Sequence, residues 1–222
     1  MTTPGPRQLP LDLPVHEAQG RDQFFVSGVN RLALAAVDGW RDWPGGKMLL
    51  VGPRGAGKTH LAAIWAADSG AAVVEARDLA GVDLRSLPAR VVVENADAGG
   101  PAAQEPLFHL HNLILPEGRL LITAAMPPRD WGLTLPDLTS RMQATPLTRL
   151  EAPDDALLFA VLIKLFADRQ MTVPPTLIAW LLVRMDRSIG AARDLVARLD
   201  AEAMAQCRPI GRALAAEVLD KS

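Results

Sequence analysis

Between Asn30 and Trp40, apolar residues recur with helical spacing, and Pro44-Gly45-Gly46 then breaks the pattern. The run Met48-Leu49-Leu50-Val51 that follows reads as a buried strand. Comparable runs bounded by breakers occur at Ala71 to Val74, Val91-Val92-Val93 and Leu120-Leu121-Ile122. Helical patterns at Thr59 to Ala67 and Leu107 to Leu115 lie between them. Strands alternating with helices in this way predict an α/β fold built on a parallel sheet.

After Pro153 the strand pattern stops. Asp154-Asp155 offers an N-terminal cap for a helix through Ala156 to Arg169, and Pro174-Pro175 starts a second helix ending near Asp186. Ile189 to Ala205 predicts a third and Arg212 to Leu219 a short fourth. The expected organisation is an arm over residues 1–22, an α/β domain over 23–152 and a small all-α lid over 153–222. The arm is rich in proline and polar groups but carries an apolar cluster, Leu9, Leu11 and Leu13. No internal repeat is visible.

Composition narrows the function classes. Hydrophobic residues make up 49% of the 222, enough for a buried core, so wholesale disorder is excluded. The 23 basic and 25 acidic side chains nearly cancel, which removes the broad positive field of an autonomous DNA-binding domain and favours a protein partner. The one cysteine, Cys207, cannot form an internal disulfide. No stretch reaches the roughly 18 apolar residues of a membrane span, and a cytosolic protein is expected.

Gly52-Pro53-Arg54-Gly55-Ala56-Gly57-Lys58-Thr59 matches G-x-x-x-x-G-K-[ST] in full, between a predicted strand and a predicted helix. Glycines let main-chain N–H groups converge on a β-phosphate, Lys58 sets a point charge by the β and γ oxygens, and Thr59 offers its hydroxyl to Mg²⁺. His60 is counted with the cofactor-binding residues, ADP or ATP being the expected ligand. The acidic partner of such a loop ends a later strand, and Glu94, at the exit of Val91-Val92-Val93, is assigned that place beside Thr59 at the metal. The next position is Asn95, which cannot act as a base, so unaided hydrolysis is expected to be slow. Asp97 either substitutes for that base or serves as a turn residue before Gly99-Gly100. His109 and His111, two apart on a predicted helix, face different directions and read as solvated or packed rather than as metal ligands.

With these motifs the chain resembles the DnaA-related AAA+ family across nearly its whole length, and most closely the short Hda-like members. Gln23-Phe24-Phe25-Val26 with Asn30 resembles the family's adenine-side entrance, and Leu121-Ile122-Thr123 with Pro127-Pro128 its sensor 1 strand and turn. Leu135-Pro136-Asp137-Leu138-Thr139-Ser140-Arg141 resembles the segment ending in the family's arginine finger, a guanidinium that acts on a neighbouring subunit's nucleotide. The alternative for Arg141 is a surface arginine paired with Asp137 at i, i+4. The resemblance implies a P-loop AAA+ domain with a five-stranded parallel sheet and a helical lid. The sensor 2 arginine position falls on Gly190, with Arg187 and Arg193 one turn away; Arg193 is the better substitute, the equal alternative being a solvated helix charge. Ala124-Ala125 stands where polar residues would help read a γ-phosphate, so ADP could be the resident nucleotide.

Gln8-Leu9-Pro10-Leu11-Asp12-Leu13 resembles the peptide by which Hda-like proteins and DNA polymerases dock on the bacterial sliding clamp. The glutamine amide can bond a pocket rim while Leu11 and Leu13 fill apolar wells, and Pro10 lowers the entropy lost on ordering. The alternative is that these leucines staple the arm to the chain's own sheet. The resemblance implies a clamp-tethered regulator of replication initiation with DnaA as partner, DNA contacted only indirectly, and self-association left open. The competing expectations are a self-sufficient ATPase acting as a motor or loader, which Asn95 weakens, and a DnaA-like replication accessory acting as loader or recruiter, whose direct DNA binding the near-neutral charge weakens.

Overall fold

The computed structural model describes residue 21 and residues 24–114 and 117–220. Gln8, Leu9, Leu11, Leu13, Gln23 and Leu115 lie outside the described residues. Five parallel strands form one sheet: β1 (Lys47–Val51), β2 (Ala72–Glu75), β3 (Arg90–Glu94), β4 (Arg119–Ala124) and β5 (Leu147–Arg149), in the order β2-β3-β4-β1-β5. Alternate residues of each strand face opposite sides. Leu49, Val51, Val91, Val93, Leu120 and Ile122 meet α3 (Gln104–Leu113) and α4 (Pro136–Ala144) on one face. Met48, Leu50, Val92 and Leu121 meet α1 (Arg31–Asp38) and α2 (Lys58–Ser69) on the other. The continuous apolar runs of the central strands follow from this coverage of both faces.

Four further helices, α5 (Asp155–Asp168), α6 (Pro175–Leu182), α7 (Ile189–Gln206) and α8 (Arg212–Asp220), share a separate apolar core around Leu162, Phe166, Leu181 and Leu199. Asp154 caps α5 by accepting from the Leu157 N–H at 2.7 Å, and Ser188 caps α7 by accepting from Ala191 N–H at 2.9 Å. Helix α6 stops at Leu182 rather than near Asp186, because the Arg184 and Met185 N–H groups both turn back to the Leu181 carbonyl. The first helix likewise ends at Asp38, with Trp40–Asp42 forming a 3₁₀ turn.

The strand order sets the site. With β4 between β1 and β3, the exits of these three neighbouring strands open onto one edge of the sheet. Ligand sites of open α/β sheets form at that carboxyl edge.

Candidate nucleotide-binding site

The phosphate loop leaves β1 and enters α2, and its backbone needs glycine at two points. Gly55 (φ 75°) and Gly57 (φ 105°) lie in the left-handed region, and a β-carbon on Gly55 would sit 2.3 Å from Ser188 Cβ. Gly57 is also the residue from which α2 starts, so the free N–H groups of that helix face the loop's interior. Lys58 is buried and its Nζ donates to Gly52 O at 2.6 Å and Pro53 O at 2.9 Å, while Ala56 packs into the α1/α2 core. Burial pushes the Lys58 ammonium below its ordinary pKa, against the opposing pull of Asp97 and Glu94.

Glu94 ends β3 almost fully buried, at 3% exposure. Its Oε2 accepts from Thr123 Oγ1 at 2.8 Å and from Thr59 Oγ1 at 3.1 Å. One carboxylate thus joins β3, β4 and the first turn of α2. Burial raises its pKa, opposed by the two threonine hydroxyls. The folded state therefore holds a proton that the unfolded chain has released, and stability falls as pH rises from the ordinary carboxylate value towards the raised one. Glu94→Gln is expected to melt at a higher temperature than the wild type at pH 8 in the absence of nucleotide. The gap should close towards pH 4, and thermal unfolding across that range checks it.

A cavity of about 360 Å³ opens over this constellation, within the usual range of ligand pockets. Its walls include Arg54, Gly55, Gly57, Lys58, Thr59 and His60 from the loop and α2, Asn95 and Asp97 from the β3 exit, and Arg193. Arg193 Nη2 lies 3.5 Å from His60 Nδ1. Arg187 points elsewhere and pairs with Asp155 at 2.8 Å, so of the two arginines near Gly190 only Arg193 reaches the cavity. Asp97 Oδ1 accepts from the Ala125 N–H at 3.1 Å, tying the β3 and β4 exits together in the turn role. Glu75, Arg77, Ala98 and Ile189 also line the cavity without belonging to any motif. Glu75 follows the apolar run of β2 just as Glu94 follows that of β3, so Glu94 is not the sole carboxylate at a strand exit.

The segment over residues 24–30 folds on Asn30. Its Oδ1 accepts from Ser27 N–H at 2.8 Å and its Nδ2 donates to Phe25 O at 2.6 Å. Phe24 packs on the α1/α2 core and stands edge-on to His60 with ring centroids 5.5 Å apart, whereas Phe25 and Val29 pack on the helical C-terminal core.

No protein-family model matches the chain. Its structure is similar to domain III of the replication initiation protein DnaA from Thermotoga maritima, with a TM-score of 0.81 at 17% identity over 94% of this chain and 98% of that one. The chain has the AAA+ fold. A variant of the AAA+ protein RuvB from Thermotoga maritima matches with a TM-score of 0.68 at 17% identity, over 91% of this chain and 72% of that one. AMPPCP-bound DnaA from Aquifex aeolicus matches with a TM-score of 0.65 at 20% identity, over 78% of this chain and 62% of that one, so this chain spans less than two thirds of it. At these identities the likeness is one of fold.

Within the AAA+ fold, Arg141 lies far from the chain's own phosphate loop. It is exposed near the end of α4, and its charge acts on Lys47, at the opposite end of β1 from the loop. Lys47 to Val51 spans about 13 Å at the usual rise per residue. No ion pair joins Arg141 to Asp137 among the described residues, although both lie on α4. His111 is buried near Arg141 and Lys47, pushed down to about pKa 4 by burial with lesser effects from those two charges. Its Nε2 lies 3.3 Å from Thr145 Oγ1, and that hydroxyl donates to the Arg141 carbonyl at 2.8 Å. His109 is exposed, and no group of three or more His, Cys, Asp or Glu gathers around a metal position among the described residues. No described helix is long and apolar enough to cross a membrane.

Proposed function

We propose that this chain is a nucleotide-bound regulator of replication initiation, of the Hda-like kind within the DnaA-related family. Residues 23–152 bind ADP or ATP with Mg²⁺, residues 153–222 form the lid, and the arm over residues 1–22 docks on the DNA polymerase sliding clamp. Arg141 then acts in trans on the ATP site of the initiator DnaA. The observation that carries this reading is the opposition of two sites: the phosphate loop at one end of β1 and, at the other, an exposed arginine with no ion pair among the described residues. One subunit can hold its own nucleotide while offering a guanidinium to another's.

The residues present suit the ligand. Gly55 and Gly57 supply the left-handed backbone by which main-chain N–H groups can turn towards a diphosphate, and Lys58 can exchange its two loop carbonyls for phosphate oxygens. Thr59 and Glu94 are hard oxygen donors 3.1 Å apart, the chemistry that Mg²⁺ selects alongside phosphate oxygens and water. Such an ion, when bound, neutralises charge on the phosphate oxygens. Arg193 stands where it can meet the phosphate end from the lid side.

The test joins both ends of the reading. The nucleotide that co-purifies with the protein is identified, and a Leu11→Ala/Leu13→Ala variant is compared with the wild type in a pull-down on immobilised clamp. Loss of clamp retention with unchanged nucleotide content is expected. Undiminished retention would remove the arm from the account, and the absence of any nucleotide affinity would remove the rest.

A further inference from the structure

Asn95 occupies the position after the buried Glu94, where its amide cannot accept a proton from water. Its backbone is left-handed, φ 56° and ψ 46°, a conformation that asparagine tolerates better than most residues. In that conformation its N–H donates to Thr123 Oγ1 at 3.0 Å, and its Nδ2 reaches sideways to both carboxylate oxygens of Glu75, at 3.3 and 3.1 Å. Glu75 is the Cα partner of Glu94 in the β2–β3 ladder, so the two carboxylates stand side by side at the sheet's carboxyl edge. Glu75 and Asn95 both line the cavity above Lys58 and Thr59. The third acid in that wall, Asp97, accepts from the Ala125 N–H with Oδ1 and has no side-chain donor among the described residues aiming it as Asn95 aims Glu75, so it is the rival acceptor that the variants below separate from Glu75. An ionised carboxylate has about four lone-pair sites, so the bonds from Asn95 leave Glu75 able to accept from a water molecule.

We propose that Glu75 is the carboxylate that accepts the proton of the attacking water when ATP in the phosphate loop is hydrolysed in cis, and that Asn95 is the positioning residue that holds it. In this step the water oxygen forms a bond to the γ-phosphorus. The bond from that phosphorus to the β,γ-bridging oxygen breaks, and its electron pair stays on the departing ADP. The water's proton passes to Glu75 and from there to solvent. The proposal rests on nucleotide binding in the loop but not on the role of Arg141 in trans. It gives the chain a slow reaction of its own, by which an ATP form becomes an ADP form.

The test uses the full chain as wild type, Glu75→Gln, Asn95→Gly and Asp97→Asn. Glycine is chosen at position 95 because it accepts the left-handed backbone without strain. Each protein is loaded with ATP and Mg²⁺, and ADP formation in the bound nucleotide is followed over a single turnover. Affinity for a fluorescent ADP analogue is measured in parallel. Glu75→Gln is expected to slow ADP formation by about 10²-fold or more, the lower end of what a general base contributes, with analogue affinity changed by less than about threefold. Asn95→Gly should slow it by a smaller factor, and Asp97→Asn should leave Glu75 in control. Without nucleotide, Glu75→Ala, Asn95→Gly and their double variant should depress the unfolding midpoint by similar amounts, because all three break one contact. A wild-type rate in Glu75→Gln, a loss confined to Asp97→Asn, strictly additive midpoints, or no ADP formation by the wild type would each overturn the proposal. Failure of every protein to bind the analogue would instead bring down nucleotide binding itself, and the proposal with it.

Discussion

Under the proposed function, replacing Arg141 with alanine is expected to lower ATP hydrolysis by DnaA, in the presence of this chain and the clamp, by about 10³-fold or more, the size of effect of other arginine fingers. The local structure supports an effect of that size without loss of the fold. Arg141 is exposed, and its side chain makes no ion pair among the described residues. What holds the residue is its main chain, whose carbonyl accepts from both the N–H and the hydroxyl of Thr145. Alanine keeps those bonds and preserves helix propensity. Arg141→Lys should recover only part of the effect, since an ammonium lacks the planar fork that meets two phosphate oxygens together. The measurement is phosphate release from ATP-loaded initiator in the presence of clamp on DNA. Equal rates with wild-type protein and Arg141→Ala would leave the finger role without support.

Lys58→Ala is expected to weaken ADP binding by about 10²–10³-fold, the range seen when one partner of a buried, charge-assisted pair is removed. Titration calorimetry against ADP with Mg²⁺ reads this directly. The substitution should leave the nucleotide-free protein folded, because its two effects on the loop oppose one another. It relieves the cost of burying an ammonium whose pKa is already depressed, and it strips the Gly52 and Pro53 carbonyls of their donor. Affinity retained in Lys58→Ala would mean that the loop's main-chain N–H groups suffice by themselves.

Much of the fold was legible because the central strands are covered on both faces and so read as unbroken apolar runs. Met48 to Val51, Val91 to Val93 and Leu120 to Ile122 all lie within observed strands. The fifth strand gives no such signal: Leu147–Arg149 is three residues long at the sheet edge, with Leu147 and Arg149 exposed. The phosphate loop was legible because its chemistry demands particular residue types at fixed spacing. Glu75 was harder to see, since a carboxylate at a strand exit gains meaning only when the pairing of β2 with β3 is known. Arg193 was named from its helical spacing to Gly190, but that it lines the cavity depends on α7 beginning against the phosphate loop. The bond from the Ala125 N–H to Asp97, which links the β3 and β4 exits, likewise shows only once the strand order is known.

That start of α7 has a mechanical consequence. The Ile189 N–H donates to the Gly55 carbonyl at 2.8 Å, and Ser188 rests against the Gly55 α-carbon. Phosphate loop and helical bundle are thus stitched at one peptide group, while Phe25 and Val29 fasten the bundle to the segment leading into α1. A change of backbone at Gly55 would therefore be felt first at the opening turn of α7, one hydrogen bond away.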